Sequence, residues 1–147
     1  MSDVNWINEN MALAPLHGLI GLTCVEIGEG RAVTRLPDGD HVRSGHAALH
    51  GGVVALLADV TSALTMEGTY DRTESIPVSI DLNVRFYGQP KEWPVTAEAS
   101  IVHKGKRTIG TECVVSDATG RQLARTNATY MLVEGFGNLD VYQGKTD

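Results

Sequence analysis

Four residues stand where their types call for an explanation: His50, Gly51, Gly52 and Asp59. The glycine pair opens a long apolar run, Val53 to Met66, and Asp59 is the single acid within that run. Glycine is a poor helix former, so helix stability does not account for two of them at a helix start. The N–H groups of a first turn lack intrahelical partners and lie at the positive end of the helix dipole. Without a Cβ in the way, a ligand can approach those donors closely, which suits an oxyanion or a polarised carbonyl. The plainer alternative is a close-packing turn, with His50 either packed into it or hydrogen-bonded to a ligand. A charge amid valines and leucines costs several kcal/mol unless it is paired or bound. Asp59 falls about two turns beyond the glycines, on roughly their face. Its neighbours Ala55, Ser62 and Ala63 are small and leave room beside it. A carboxylate in that setting can act as a general base or a nucleophile, or can be a structural aspartate capped by backbone donors.

Other polar residues are weaker candidates. Ser79 and Asn83 lie on the polar side of a strand pattern, where they face water or a partner's site. His17, His41, His46 and His103 are scattered without metal-ligand spacing, and Asp38, Asp40 and His41 read as an acidic turn. No metal is expected. Cys24 and Cys113 are far apart, with no CxxC, and read as buried free thiols. Lys104, Gly105, Lys106 and Arg107 form the densest basic spot, either a phosphate contact or a solvated turn. The chain contains no GxxxxGK[ST], no GxGxxG and no GxSxG, so those nucleotide-binding and serine-hydrolase routes are not indicated.

Positioning these residues falls to a few elements. A helix from 51 to 67 would be about 25 Å long. Before it come a short helix over 4–12, ended by Pro15, then a first strand over 19–26 and a second over 31–36. After it, Val78, Ile80, Leu82, Val84 and Phe86 alternate with Ser79, Asp81, Asn83 and Arg85, the clearest strand pattern in the chain. Three more strands follow over 93–103, 107–116 and 122–133, and an irregular tail over 134–147. The fold class is therefore α+β: a single domain over 1–147, with one long helix covering one face of about six mostly antiparallel strands. Self-association would bury what that helix leaves uncovered. The 147 residues carry a formal charge of −6, which argues against a general nucleic-acid surface. The N-terminus lacks a basic region followed by an apolar run, and the apolar run at 53–66 is too short and too alanine-rich for a membrane span. The cytoplasm is the expected location.

The segment HGGVVALLAD, followed by SIDLNVRFY, resembles the hotdog-fold acyl-CoA thioesterases, in particular their phenylacetate-type (PaaI-like) branch. The likeness runs from about Leu16 to Val133 and includes the Gly-Lys-Arg hairpin and the DATGRQLARTNATY ending. It implies a hotdog fold, one long helix wrapped by a curved antiparallel sheet, and hydrolysis of an acyl-CoA to a free acid and coenzyme A, the latter as part of the substrate with no further cofactor. It also implies a homodimer with shared active sites, such dimers often pairing into tetramers. In that scheme Asp59 is the catalytic carboxylate, the Gly51 N–H polarises the thioester carbonyl, Gly52 shapes the turn and His50 supports the loop or the carbonyl. Ser79 lies near the carboxylate from the opposite subunit. Arg85 and the turn Lys104, Gly105, Lys106, Arg107 meet the phosphates of coenzyme A. One departure stands out. The family commonly carries an asparagine six residues before the histidine of HGG, and here that position is Ser44. Serine cannot offer both an amide donor and a carbonyl acceptor. That motivates an alternative, a non-catalytic acyl-CoA or acyl-binding protein.

Overall fold

The computed structural model describes residues 3–134; of the irregular tail expected over 134–147, Glu134 instead ends the last strand and the rest lies outside the described residues. Asp3 caps the first helix, α1 (Val4–Ala12), by accepting a hydrogen bond from the Trp6 N–H at 2.8 Å. Pro15 does more than end α1. It occupies the first turn of a second short helix, α2 (Pro15–Ile20), where its missing N–H costs nothing. Gly21 closes α2 at φ 70°, and a Cβ there would lie 2.9 Å from the Pro37 ring. The strand expected over 19–26 accordingly starts late, as β1 (Thr23–Gly28).

The remaining elements are β2 (Arg31–Leu36), a 3₁₀ turn (Asp40–Val42), α3 (Gly51–Leu64), β3 (Ser75–Phe86), β4 (Val95–Lys104), β5 (Thr108–Ser116) and β6 (Gln122–Glu134). The six strands form one sheet in the order β1-β2-β4-β5-β6-β3, every neighbouring pair antiparallel. α3 lies across its concave face. Val54, Leu57, Ala58 and Thr61 recur at helical spacing and are buried against Leu36, Val95, Ala97 and Cys113 of the sheet. This is the hotdog arrangement. α3 stops at Leu64, three residues short of expectation. Thr65, Met66 and Glu67 instead donate to the carbonyls three residues back, and the Thr65 hydroxyl donates to the Ser62 carbonyl at 2.6 Å.

The two sheet edges differ. α1 covers β1, where the Asn8 amide donates to the Cys24 carbonyl at 2.9 Å and accepts from the Cys24 N–H at 2.7 Å, standing in for a strand. Among the described residues nothing pairs with the outer side of β3, which forms a bare edge twelve residues long with Ile80, Leu82 and Phe86 exposed. Its alternation is not continuous. A bulge between Ser79 and Asp81 leaves Ile80 without a partner in the ladder. Ser79 pairs with buried Tyr130, and Leu82, Val84 and Phe86 pair with buried Ala128, Thr126 and Ala124. Paired residues share a face. Ser79 therefore joins Leu82, Val84 and Phe86 on the helix side, while Asp81, Asn83 and Arg85 stay on the outer side. Assigning Ser79 and Arg85 to one face, as the sequence pattern suggests, is incorrect.

Candidate active site

The helix start is held by its loop. His50 is the N-cap: its Nδ1 accepts from the Gly52 N–H at 2.8 Å, and its carbonyl accepts from Val53 and Val54 at 2.9 and 3.1 Å. Of the first four N–H groups of α3, that of Gly51 alone has no partner among the described residues. Each glycine makes room for a particular neighbour. A Cβ on Gly52 would sit 3.0 Å from His50 Nδ1 and crowd the cap, and one on Gly51 would lie 3.4 Å from the Phe86 ring. The loop is pinned from the far side by Gln89, whose amide accepts from the Leu49 N–H at 2.7 Å and donates to the Leu49 carbonyl at 3.3 Å. Leu49, Gly51, Val54, Phe86, Gly88 and Gln89 line a cavity of about 280 Å³ that contains the open donor.

Asp59 stands in a different cavity. Tyr130 lies on β6 with its hydroxyl 2.6 Å from Asp59 Oδ1 and 2.9 Å from the Asp59 carbonyl. Burial, and then the Asp59 carboxylate, hold this phenol well above its ordinary range, so it remains a donor wherever the carboxylate is charged. Asp59 is thus aimed by a partner from the sheet. The pocket measures about 440 Å³, with Leu56, Val60, Ala63 and Leu64 of α3 and Glu67 just beyond it on one side and Trp6, Ile7, Asn10 and Met11 of α1 on the other. His17, Tyr70, Arg72 and Pro77 complete its wall. Sequence reasoning missed Tyr130, Gln89 and the part played by α1. In the sequence Tyr130 shows only as a strand residue in phase with the inward residues Ala128 and Leu132, with no sign of its acid partner, and Gln89 left no sign.

The other expected residues are dispersed. Ser44 lies in the loop ahead of α3, outside the Asp59 pocket. Its N–H donates to the Ala48 carbonyl at 2.7 Å and its Oγ accepts from the His46 N–H at 3.3 Å. Ala47, at φ 58°, turns this loop. Arg85 pairs in the ladder with Arg125, five residues along β6 from Tyr130. Tyr130 in turn pairs with Ile109, the partner of Lys104. At about 3.4 Å per residue the two rows are roughly 17 Å apart, so Arg85 and the basic turn do not form one patch. Within the turn, Gly105 is required because a Cβ would meet the Thr108 carbonyl at 3.1 Å. Lys106 and Arg107 line a groove of about 370 Å³ with Ser75 and residues 131–134. Among the described residues no group of three or more His, Cys, Asp or Glu side chains could hold a metal ion, and no helix is long and apolar enough to cross a membrane.

Comparison with known proteins agrees with the fold. The family model described as "Thioesterase superfamily" matches residues 46–124, more than half the chain, from the HGG loop into β6. The 1,4-dihydroxy-2-naphthoyl-CoA hydrolase of Listeria monocytogenes serotype 1/2a is 28% identical over 114 residues, covering 78% of this chain and 92% of that protein. A mutant of thioesterase PA1618 from Pseudomonas aeruginosa shares the fold with a TM-score of 0.85 at 18% identity, over 92% of this chain and 96% of the other. The E. coli PaaI protein of the phenylacetic acid degradation operon does so with a TM-score of 0.76 at 20% identity, over 88% and 94%.

Proposed function

Because this chain belongs to the thioesterase superfamily, we propose that it hydrolyses acyl-CoA thioesters, using Asp59 of one subunit and the Gly51 N–H of another. The observation that carries this reading is the pairing of an open backbone donor at the start of α3 with a hydrogen-bonded carboxylate on the same helix, each in its own cavity. The donor binds the thioester oxygen as negative charge develops on it. The carboxylate either takes a proton from an attacking water or attacks the thioester carbon itself. Collapse of the tetrahedral species expels the coenzyme A thiolate; on the first route it takes the proton held by Asp59, and on the second it leaves a mixed anhydride on Asp59 that a water then hydrolyses to the free acid, supplying the thiolate's proton. The relative named a 1,4-dihydroxy-2-naphthoyl-CoA hydrolase supports a coenzyme A thioester as substrate.

The two groups cannot serve one thioester from a single chain. Eight residues of helix separate them by about 12 Å, whereas a base and an oxyanion donor must each lie within about 3 Å of adjoining substrate atoms. Both half-sites, however, border the bare β3 edge. Gly51 lies against Phe86, and Asp59 is bonded to Tyr130, the ladder partner of Ser79. Antiparallel pairing of β3 with its copy, about an axis midway between Ser79 and Phe86, brings the donor of one chain to the carboxylate of the other. The same pairing buries Ile80, Leu82 and Phe86 and completes the edge.

Thiol release from a panel of aroyl- and alkanoyl-CoA substrates tests the proposal, with Asp59→Asn as control. Release by the wild type, and a fall of about a thousandfold or more in the variant, is the expected result. Silence toward the whole panel, or an unchanged rate in the variant, refutes it. One observation favours a second reading, an acyl-CoA-binding protein without turnover: Ser44 replaces the family's asparagine, and its hydroxyl is engaged by His46. Tight binding of the same thioesters with no thiol release would establish that reading.

A further inference from the structure

The pocket that holds Asp59 changes character along its length. Between Asp59 and Glu67 its wall carries Val60, Ala63 and Leu64. From Asp59 to Glu67 is eight residues, about 12 Å along the direction of α3. There three side chains lock together, one from α1 and two from the connection between α3 and β3. The Arg72 guanidinium stacks over the Trp6 ring, 4.3 Å from its centroid, and Arg72 also forms an ion pair with Glu67. The Glu67 side chain is only 7% exposed, while those of Trp6 and Arg72 reach the surface. Trp6 belongs to the first turn of α1, and Glu67 and Arg72 follow the end of α3, so the contact ties the two walls of the pocket together.

We propose that the Trp6–Arg72–Glu67 clasp is the distal stop of an acyl-binding pocket and sets the length of acyl chain that the protein accepts. This inference rests on the reading of Asp59 as the carboxylate that meets the thioester. With the thioester carbon at Asp59, the chain runs along the apolar middle and its end meets the indole. A longer chain must part a stacked cation from its ring and disturb the Arg72–Glu67 ion pair, which is costlier than merely lacking a contact. Discrimination of this kind works by penalty against the wrong substrate.

The experiment compares butanoyl-, octanoyl-, dodecanoyl- and hexadecanoyl-CoA as substrates of the wild type, Trp6→Ala and Arg72→Ala. Both positions are partly exposed, and the Asn8–Cys24 contact that anchors α1 is left intact. The expected result is a rise of about tenfold or more in kcat/KM for the longest chains relative to the shortest, in either variant. A ratio unchanged in both variants overturns the inference. Calorimetric binding of the corresponding free carboxylic acids reads the pocket without turnover. If no thioester is cleaved, the hydrolase reading fails, and the binding series still decides the clasp. A length limit that relaxes in either variant supports it, and the same limit in all three proteins overturns it.

Discussion

Asp59 interrupts an apolar helix, and Tyr130 supplies the reason it can. The phenol donates to the carboxylate from a strand that reaches it across 71 positions of sequence. Replacing Tyr130 by phenylalanine removes one oxygen and leaves the ring in place. The variant is expected to lose about 1–3 kcal/mol of stability in chemical denaturation. Its kcat should fall about tenfold with little change in KM, because the lost group orients a reacting group and does not bind substrate. The oddity of Asp59 was legible from its neighbours alone. Its partner was not, since a tyrosine in phase with inward strand residues looks the same whether or not it meets an acid. The thiols make a second prediction at this scale. Burial above all pushes Cys24 up to about 11 and Cys113 up to about 12, from an ordinary value of 9.0. Above pH 9 the unfolded chain therefore sheds protons that the folded chain keeps. The stability that these groups contribute is whole below pH 9 and is lost as pH rises toward the native values. Denaturation midpoints should decline through that window, and Cys113→Ala should decline less steeply than the wild type.

Among the elements, α3 was the easiest to foresee and β3 the most deceptive. The HGG start of α3 follows from residue chemistry: a capping imidazole, a second glycine that makes room for it, and a first glycine whose N–H stays open. That arrangement permits a clean test. Gly51 is the first helical residue, a position that tolerates proline, and His50 already has the extended backbone that a following proline requires. Gly51→Pro should keep the helix, as read by circular dichroism, while removing the donor, and thiol release should fall about a hundredfold or more. The hidden features lie where one local signal admits two outcomes. Pro15 ends one helix and equally well begins another, and only the fit of Gly21 against Pro37 decides for α2. In β3 the pattern from Val78 to Phe86 looks unbroken, yet the bulge at Ile80 exchanges the faces midway. Register is a property of the partner strand, so the pattern of one strand does not reveal such a slip.

At the scale of the whole molecule, the β3 edge and the two half-sites beside it call for a second copy. The sequence indicated that need through a sheet of which a single helix leaves a side or an edge exposed, but the edge it would use emerged only with the strand order. A complementation assay reads the arrangement directly. Under the proposed mechanism, Asp59→Asn and Gly51→Pro chains are each expected to be inactive alone. Mixed and re-equilibrated in equal amounts, half the dimers are hybrids, and each hybrid holds one intact site and one site carrying both defects. About a quarter of wild-type activity should return. A mixture as inactive as its components would place both groups of a working site on one chain.

Under the proposed mechanism, the length of helix between Gly51 and Asp59 also makes activity a matter of dilution. A chain whose donor and carboxylate are held that far apart by a rigid rod should be silent by itself and should turn over only on meeting its like. Specific activity should therefore be constant at high protein concentration and fall once the concentration drops below the dissociation constant of the pair. Isolated chains fresh from the ribosome would leave every thioester untouched until enough of them had accumulated to find one another.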